Sequence, residues 1–313
     1  MEKYVILADI TCDLSAEMRE AMGVKDYIRG HITIAQGGVS SDHVSDLDWA
    51  SIPRDTFYDA LNSKQAKVTS APPNPDEYCD VFCSYIEQGY GVLSMSISGK
   101  ISGTYDFACL GAKKALEKHP DAKLYCFDSM RMAGGFGLLV LYAHKLQAEG
   151  KSMEEAIAWL EENRHRVHQM GPIDDLMVVA RRGRIGMAKA IMGSFAGVKP
   201  MGDCDATGYV TVLTKAKGIR RALEMTAAYV AKTAARPEES YAVIVHTDRA
   251  QYAEDLCRRL GEAVPFLRVF VTESFPGSAT NIGSGMIGVY YLGEPVSAEL
   301  EAEKEIMREI AEK

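Results

Sequence analysis

Short apolar runs alternate with amphipathic stretches through roughly the first half of the chain. Tyr4–Ala8, Ile32–Ile34, a run closing at Leu93, and Lys123–Phe127 read as strands. Between them, Ala16–Met22, Arg54–Leu61, Asp76–Gln88, Tyr105–Lys118, a stretch from Gly134 to Ala148, and Met153–Val167 read as helices. On Asp76–Gln88 the apolar face is Tyr78, Val81, Phe82 and Ile86. Ser15 stands where it would cap the first helix. Residues 36–53, rich in Gly, Ser and Asp, predict an excursion with little regular structure. Pro72, Pro73 and Pro75 forbid helix at that point and make a rigid extended segment behind Thr69 and Ser70. Repeated strand-plus-helix units predict a parallel sheet with helices on both faces.

After Gly171-Pro172 the texture changes. Leu176–Ala180, Val198–Met201, Tyr209–Leu213, Tyr241–Val245, Leu267–Thr272 and Val289–Leu292 read as strands. Helices are expected over Met187–Phe195, over a segment opened by Lys215, Lys217, Arg220 and Arg221 and running to Lys232, over Ala250–Leu260 and over Glu299–Glu312. Pro276–Gly288 is glycine-rich. The pattern predicts an α/β protein of two domains. Residues 1–170 make an N-terminal α/β/α domain with a parallel sheet, and residues 171–313 a C-terminal α+β domain with a mixed sheet.

Composition narrows the function classes. The chain has 313 residues, 47% of them apolar, enough for sizeable cores. A net charge of −8 argues against a nucleic-acid partner. The seven cysteines are odd in number and include no Cys-x-x-Cys, so they read as thiols in a reducing compartment rather than a disulfide or zinc framework. His165 and His168 lie three apart in a charged stretch and read as a solvated helix face. The apolar part of the N-terminus is too short for a signal peptide, and no run approaches about 20 apolar residues. A cytoplasmic protein without metal or cofactor is expected.

The chemistry concentrates in residues 94–109, where a strand dissolves into small hydroxyl residues and glycines and a helix follows. Ligands in open α/β sheets sit where strands end and helices begin, and a helix N-terminus favours an anion. Ser98, Ser102 and Thr104 add neutral donors there. The stretch is not a P-loop, because Gly99-Lys100 is followed by Ile101, and it is not a Gly-x-Ser-x-Gly nucleophile elbow. Local sequence leaves three readings besides a plain helix cap. They are a binding site for an anionic head group, a serine-dependent hydrolase with Ser98 or Ser102 as nucleophile, and a binder of a small phosphorylated metabolite.

Several segments together resemble the DegV family of bacterial fatty-acid-binding proteins. Asp9-Ile10-Thr11-Cys12-Asp13-Leu14 is similar to the family's Asp-Ser-Thr-x-Asp-Leu, and Thr69-Ser70-Ala71-Pro72-Pro73 to its Thr-Ser-Gln-Pro segment. Ser98-Gly99-Lys100-Ile101-Ser102-Gly103-Thr104 is similar to Ser-Ser-x-Leu-Ser-Gly-Thr. Asp128-Ser129, Arg182-Gly183-Arg184-Ile185, Val198-Lys199-Pro200 and Gly283-Ser284-Gly285 follow in the family's order. The resemblance implies two α/β domains with a long-chain fatty acid between them, its tail in an apolar tunnel and its carboxylate on Thr69 and Ser102. Ser98, Ser70 and Asn281 are secondary head-group candidates. It also implies a protein without chemistry of its own that presents the acid to a separate fatty acid kinase, which makes an acyl phosphate for phospholipid synthesis. Transient membrane contact fits the same role. Three positions depart from the pattern: Gly99 replaces a serine, Asn281 a histidine and Arg182 a glycine. Arg181, Arg182 and Arg184, and Lys215, Lys217, Arg220 and Arg221, are local basic clusters in a negative chain and are candidates for docking the kinase.

Overall fold

The computed structural model describes residues 3–185 and 197–312. Its N-terminal strands are β1 (Tyr4–Asp9), β2 (Tyr27–Ile28), β3 (Gly30–Gln36), β4 (Val39–Ser45), β5 (Ala66–Ala71), β6 (Gly91–Ser96) and β7 (Leu124–Asp128). Four of them form an all-parallel sheet in the order β2-β1-β6-β7. All of β6 is buried, as a central strand covered by helices on both faces must be. The C-terminal strands are β8 (Val167–Met170), β9 (Val198–Cys204), β10 (Val210–Lys217), β11 (Tyr241–His246), β12 (Arg268–Glu273) and β13 (Ile287–Leu292). Their main sheet runs β12-β11-β13-β8 and is mixed: β11 and β12 are parallel, while β13 is antiparallel to both its neighbours. β9 and β10 form a separate antiparallel ladder.

The helix Ala133–Ala148 joins the halves. Its residues from Ala133 to His144 are all buried, because it is apolar on every side. One face packs on Ile6 and Ala8 of β1 and another on Val243, Val245 and Tyr290 of the mixed sheet, making a single core. Gly134 and Gly137 permit this approach. A Cβ on Gly134 would lie 2.5 Å from the Tyr290 ring, and one on Gly137 would lie 2.3 Å from the Cys12 carbonyl oxygen.

Several elements differ from the sequence expectation. Residues 36–53 are not irregular throughout, since β3 and β4 form a hairpin across Gly37 and Gly38, both at positive φ. β4 is mostly exposed, so it carries no apolar alternation to betray it. β5 completes this sheet in the order β4-β3-β5. Leu176–Ala180 is helical, not extended: Asp175 caps Leu176–Arg181, and Leu176 and Ala180 bury one face four residues apart. An apolar run this short suits either geometry. The helix read as Met153–Val167 ends at Asn163, and a 3-10 turn over 164–166 leads into β8. His168 is therefore not on a solvated helix face. It is buried on β8 between the Asp203 carboxylate, 2.9 Å from Nδ1, and the Glu294 carbonyl, 2.8 Å from Nε2. Lys215 and Lys217 lie on β10, and the helix they were expected to open is Ile219–Thr233, entered through Gly218. The glycine-rich stretch contains a helix, Pro276–Ile282, with proline at its first position. The helix expected over Met187–Phe195 lies outside the described residues. Among the described residues, no helix is long and apolar enough to cross a membrane.

Candidate functional site

The site is built at the carboxyl ends of β1 and β6. β1 stops at Asp9, whose side chain caps the turn Ile10–Cys12 by accepting from the Thr11 N–H at 2.8 Å and from the Thr11 hydroxyl. Its other carboxylate oxygen accepts from the Ile97 N–H at 2.9 Å, which fixes the chain just after β6. Burial raises the Asp9 pKa above the usual carboxylate range, with these hydrogen bonds opposing it. Asp13, held at positive φ, accepts from the Phe275 N–H and the Ser274 hydroxyl and so anchors the entry to Pro276–Ile282. Burial pushes its carboxyl up to about 8. Two buried acids thus position two loops and one short helix around a common space.

That space is a cavity of about 890 Å³ when the open solvent at its mouth is included. Its polar lining comes from Asp9 and Thr11 after β1, His31 of β3, Ser70 of β5, Ser102 and Thr104 at the head of the helix Thr104–Lys118, and Ser278 and Asn281 of Pro276–Ile282. The Asn281 amide donates to the Ser70 hydroxyl at 2.9 Å. The Ser102 and Thr104 hydroxyls are 2.7 Å apart, and Ser102 Oγ accepts from the Thr104 N–H at 3.3 Å. Gly103, the N-cap, supplies no side-chain acceptor, and the Ser102 hydroxyl serves the first N–H of the helix instead. Arg184 also lines the cavity, its guanidinium donating to the Arg182 carbonyl.

Thr69 is not among the lining residues. It lies half-buried opposite Thr33 in the β3–β5 ladder, while the next two residues of the strand, Ser70 and Ala71, both line the cavity. Ser98 is not among them either. Its hydroxyl is buried and donates to the Gly208 carbonyl at 2.9 Å, tying the turn to the β9–β10 hairpin. Of the basic residues, Arg182 donates to the Val68 carbonyl at 2.8 Å and Arg221 to the Ile310 carbonyl at 3.1 Å, while Arg181, Lys215, Lys217 and Arg220 are exposed. The sequence reading did not find Ser278 or the cavity-lining place of Arg184. The proline at the first position of Pro276–Ile282 was the available signal for the helix that presents Ser278.

Met132, Val179, Val210 and Ile282 line this cavity and a second one behind it. The second is walled by side chains such as Leu176, Ile185, Met201, Val212, Met286 and Tyr290. The two cavities adjoin at these four side chains, the first lined in part by hydroxyls and an amide, the second mostly by hydrocarbon.

The fold and these cavities define an α/β protein with a partly polar cavity at the ends of a parallel sheet and an apolar one adjoining it. Residues 3–294 match the model of a protein family described as uncharacterised protein, DegV family. The chain belongs to the DegV family. A DegV domain-containing protein of Clostridium perfringens is 29% identical over 294 residues, covering 94% of this chain and 99% of that protein. Among solved structures, a DegV family protein from Thermus thermophilus described for its fatty acid binding is 25% identical, with a TM-score of 0.78 over 93% of this chain and 99% of that one. The fold is shared at 20% identity with the Streptococcus pneumoniae fatty acid kinase B3 protein loaded with linoleic acid, with a TM-score of 0.78 over 93% of this chain and 100% of that one.

Proposed function

We propose that this protein binds a long-chain fatty acid between its two domains, with the expected 170/171 boundary moved to before β8, which pairs with β13, and carries it without chemistry of its own. The carboxylate lies among Ser70, Ser102, Thr104 and Asn281, with Ser70 in the role expected of Thr69. The tail runs past Met132 and Val179 into the apolar chamber. Arg184 at the polar end favours an anion. The observation that carries this reading is that the hydroxyl-lined cavity adjoins the apolar one, the two sharing four lining residues. A small phosphorylated metabolite would leave the apolar half unfilled. A serine hydrolase needs a base on its nucleophile, whereas the Ser102 hydroxyl is partnered by the neutral Thr104. Relatives of this fold that are loaded with fatty acids support the same choice.

The further step, presentation to a separate fatty acid kinase for acyl-phosphate formation and phospholipid synthesis, rests on the likeness to the pneumococcal protein. Loading by transient contact with a membrane completes the role. The decisive experiment is mass spectrometry of ligand released from protein purified under native conditions. One long-chain acid per chain is expected. A sugar phosphate, or an acyl ester on Ser102, would reject the carrier reading.

A further inference from the structure

Two side chains break the hydrocarbon lining of the second cavity. Among its described lining residues, only Gln169 of β8 and Tyr290 of β13 carry N–H or O–H groups on their side chains. They stand opposite one another in the antiparallel β8–β13 ladder, so both project from the same face of the mixed sheet. Val289 and Tyr291, on either side of Tyr290, belong to the core on the other face.

The Tyr290 ring is held in place. It lies against the central helix, where a Cβ on Gly134 would come within 2.5 Å of it and one on Gly135 within 3.1 Å. Its hydroxyl lies over Gly288, itself in the cavity wall, where a Cβ would stand 3.0 Å from Oη. Glycine at that position leaves the hydroxyl uncovered. Tyr290 is only 4% exposed, yet among the described residues its hydroxyl has no hydrogen-bond partner. The Gln169 side-chain amide has none there either, since the bond Gln169 makes to Asp203 comes from its backbone N–H. Burial pushes the phenol above its ordinary pKa of 10.0, so the hydroxyl remains a donor.

Burying a polar group without a partner is costly, so such groups in a cavity wall point to a ligand atom that satisfies them. A tail of plain methylenes offers neither donor nor acceptor. A hydroxyl on the tail offers both, accepting from the tyrosine O–H and donating to the amide oxygen. A keto oxygen only accepts and would leave the Gln169 side-chain carbonyl unpaired.

We infer that the apolar cavity selects a long-chain acid bearing a hydroxyl on its tail, held by Tyr290 and Gln169. On the fatty-acid reading above, on which this rests, the carboxylate stays in the first cavity. The hydroxyl then lies beyond Met132, Val179, Val210 and Ile282, which line both cavities. A site built to bind a hydroxyl discriminates against the analogue that lacks it, because its own polar groups are then left buried and unpaired.

The test is displacement of a fluorescent fatty acid from the full chain by octadecanoic acid and by monohydroxy octadecanoic acids that differ only in where the hydroxyl stands. One isomer substituted remote from the carboxylate is expected to bind about tenfold tighter than octadecanoic acid, the effect of one or two neutral hydrogen bonds. Tyr290→Phe is expected to bring the ratio of these two affinities to about one, and Gln169→Met to reduce it. Octadecanoic acid binding as tightly as every isomer, or a preference that survives Tyr290→Phe intact, overturns the inference and leaves the carrier reading standing. Failure of every acid to bind would reject the carrier reading and this inference together.

Discussion

Ser102 and Ser70 come from different elements and line the same cavity, and at the scale of single residues they carry the head-group argument. A hydrogen bond to a charged group contributes about 1.5–3 kcal/mol. Ser102→Ala is therefore expected to weaken fatty-acid binding by about ten- to a hundredfold, measured with a fluorescent acid. Ser70→Ala should weaken it as well, whereas Thr69→Ala, whose side chain is not among the lining residues, should stay within about twofold, under roughly half a kcal/mol. The reverse order for these two would restore Thr69 to the site. Asn281 is a neutral amide that already donates to Ser70. Asn281→His should bring a pH dependence of binding between about 6 and 8, where an unperturbed imidazole titrates. Equal affinity of that variant at both ends of the range would place position 281 away from the carboxylate.

At the scale of elements, the chamber depends on how closely its walls are brought together. Gly137 lets the helix Ala133–Ala148 lie against the turn that follows β1, and a methyl there would meet the Cys12 carbonyl oxygen at 2.3 Å. That neighbour is backbone and cannot swing aside. Gly137→Ala should cost about 1–3 kcal/mol in chemical denaturation and shift the turn that holds Ile10 and Thr11 in the cavity wall. A full-stability variant would mean that the helix can slide. β8 and β9 are tied by His168 and Asp203, and Gln169, Met170, Met201 and Gly202 beside them line the apolar chamber. Burial pulls the His168 pKa down, but the Asp203 carboxylate and the Glu294 carbonyl outweigh it and raise it above the ordinary value. A raised folded pKa stabilises fully below the unfolded value of about 6.5 and loses that contribution as pH climbs through the folded value. Wild-type stability in urea should fall across that upper window. His168→Gln should lack the slope and be weaker on the acid side by about 3–5 kcal/mol, the usual cost of breaking a buried pair. Parallel pH profiles for the two proteins would remove His168 from the account.

For the whole molecule, exposed positive charge has to be separated from charge already engaged. Arg182 and Arg221 are bonded to backbone carbonyls of other elements, so reversing either would disturb the fold. Lys217 and Arg220 are exposed on either side of Gly218. Lys217→Glu with Arg220→Glu should leave fatty-acid affinity within about twofold. It should slow acyl-phosphate formation by a cognate kinase most at low ionic strength, since rim charges act on encounter and are screened by salt. Equal turnover at low salt would take this corner out of the docking surface and leave Arg181.

Periodicity and order of motifs determined the fold class, the parallel and mixed sheets and the placing of Ser102 at a helix start. These follow from local chemistry: strand and helix periods, prolines, small residues at a turn. Local chemistry could not tell Thr69 from Ser70, because adjacent strand residues point opposite ways and only the packing of β5 decides which side chains reach the cavity, where Ser70 and Ala71 lie. Nor could it place His168, whose polar neighbours in sequence suggest solvent while Asp203 and Glu294 arrive from distant parts of the chain. The helix at Pro276–Ile282, seven residues long, draws its stability from Asp13, more than two hundred and fifty residues away, which holds Phe275. The chamber itself is a property of tertiary structure alone, since its walls come from segments that share no sequence signal and meet only when the central helix has packed both sheets.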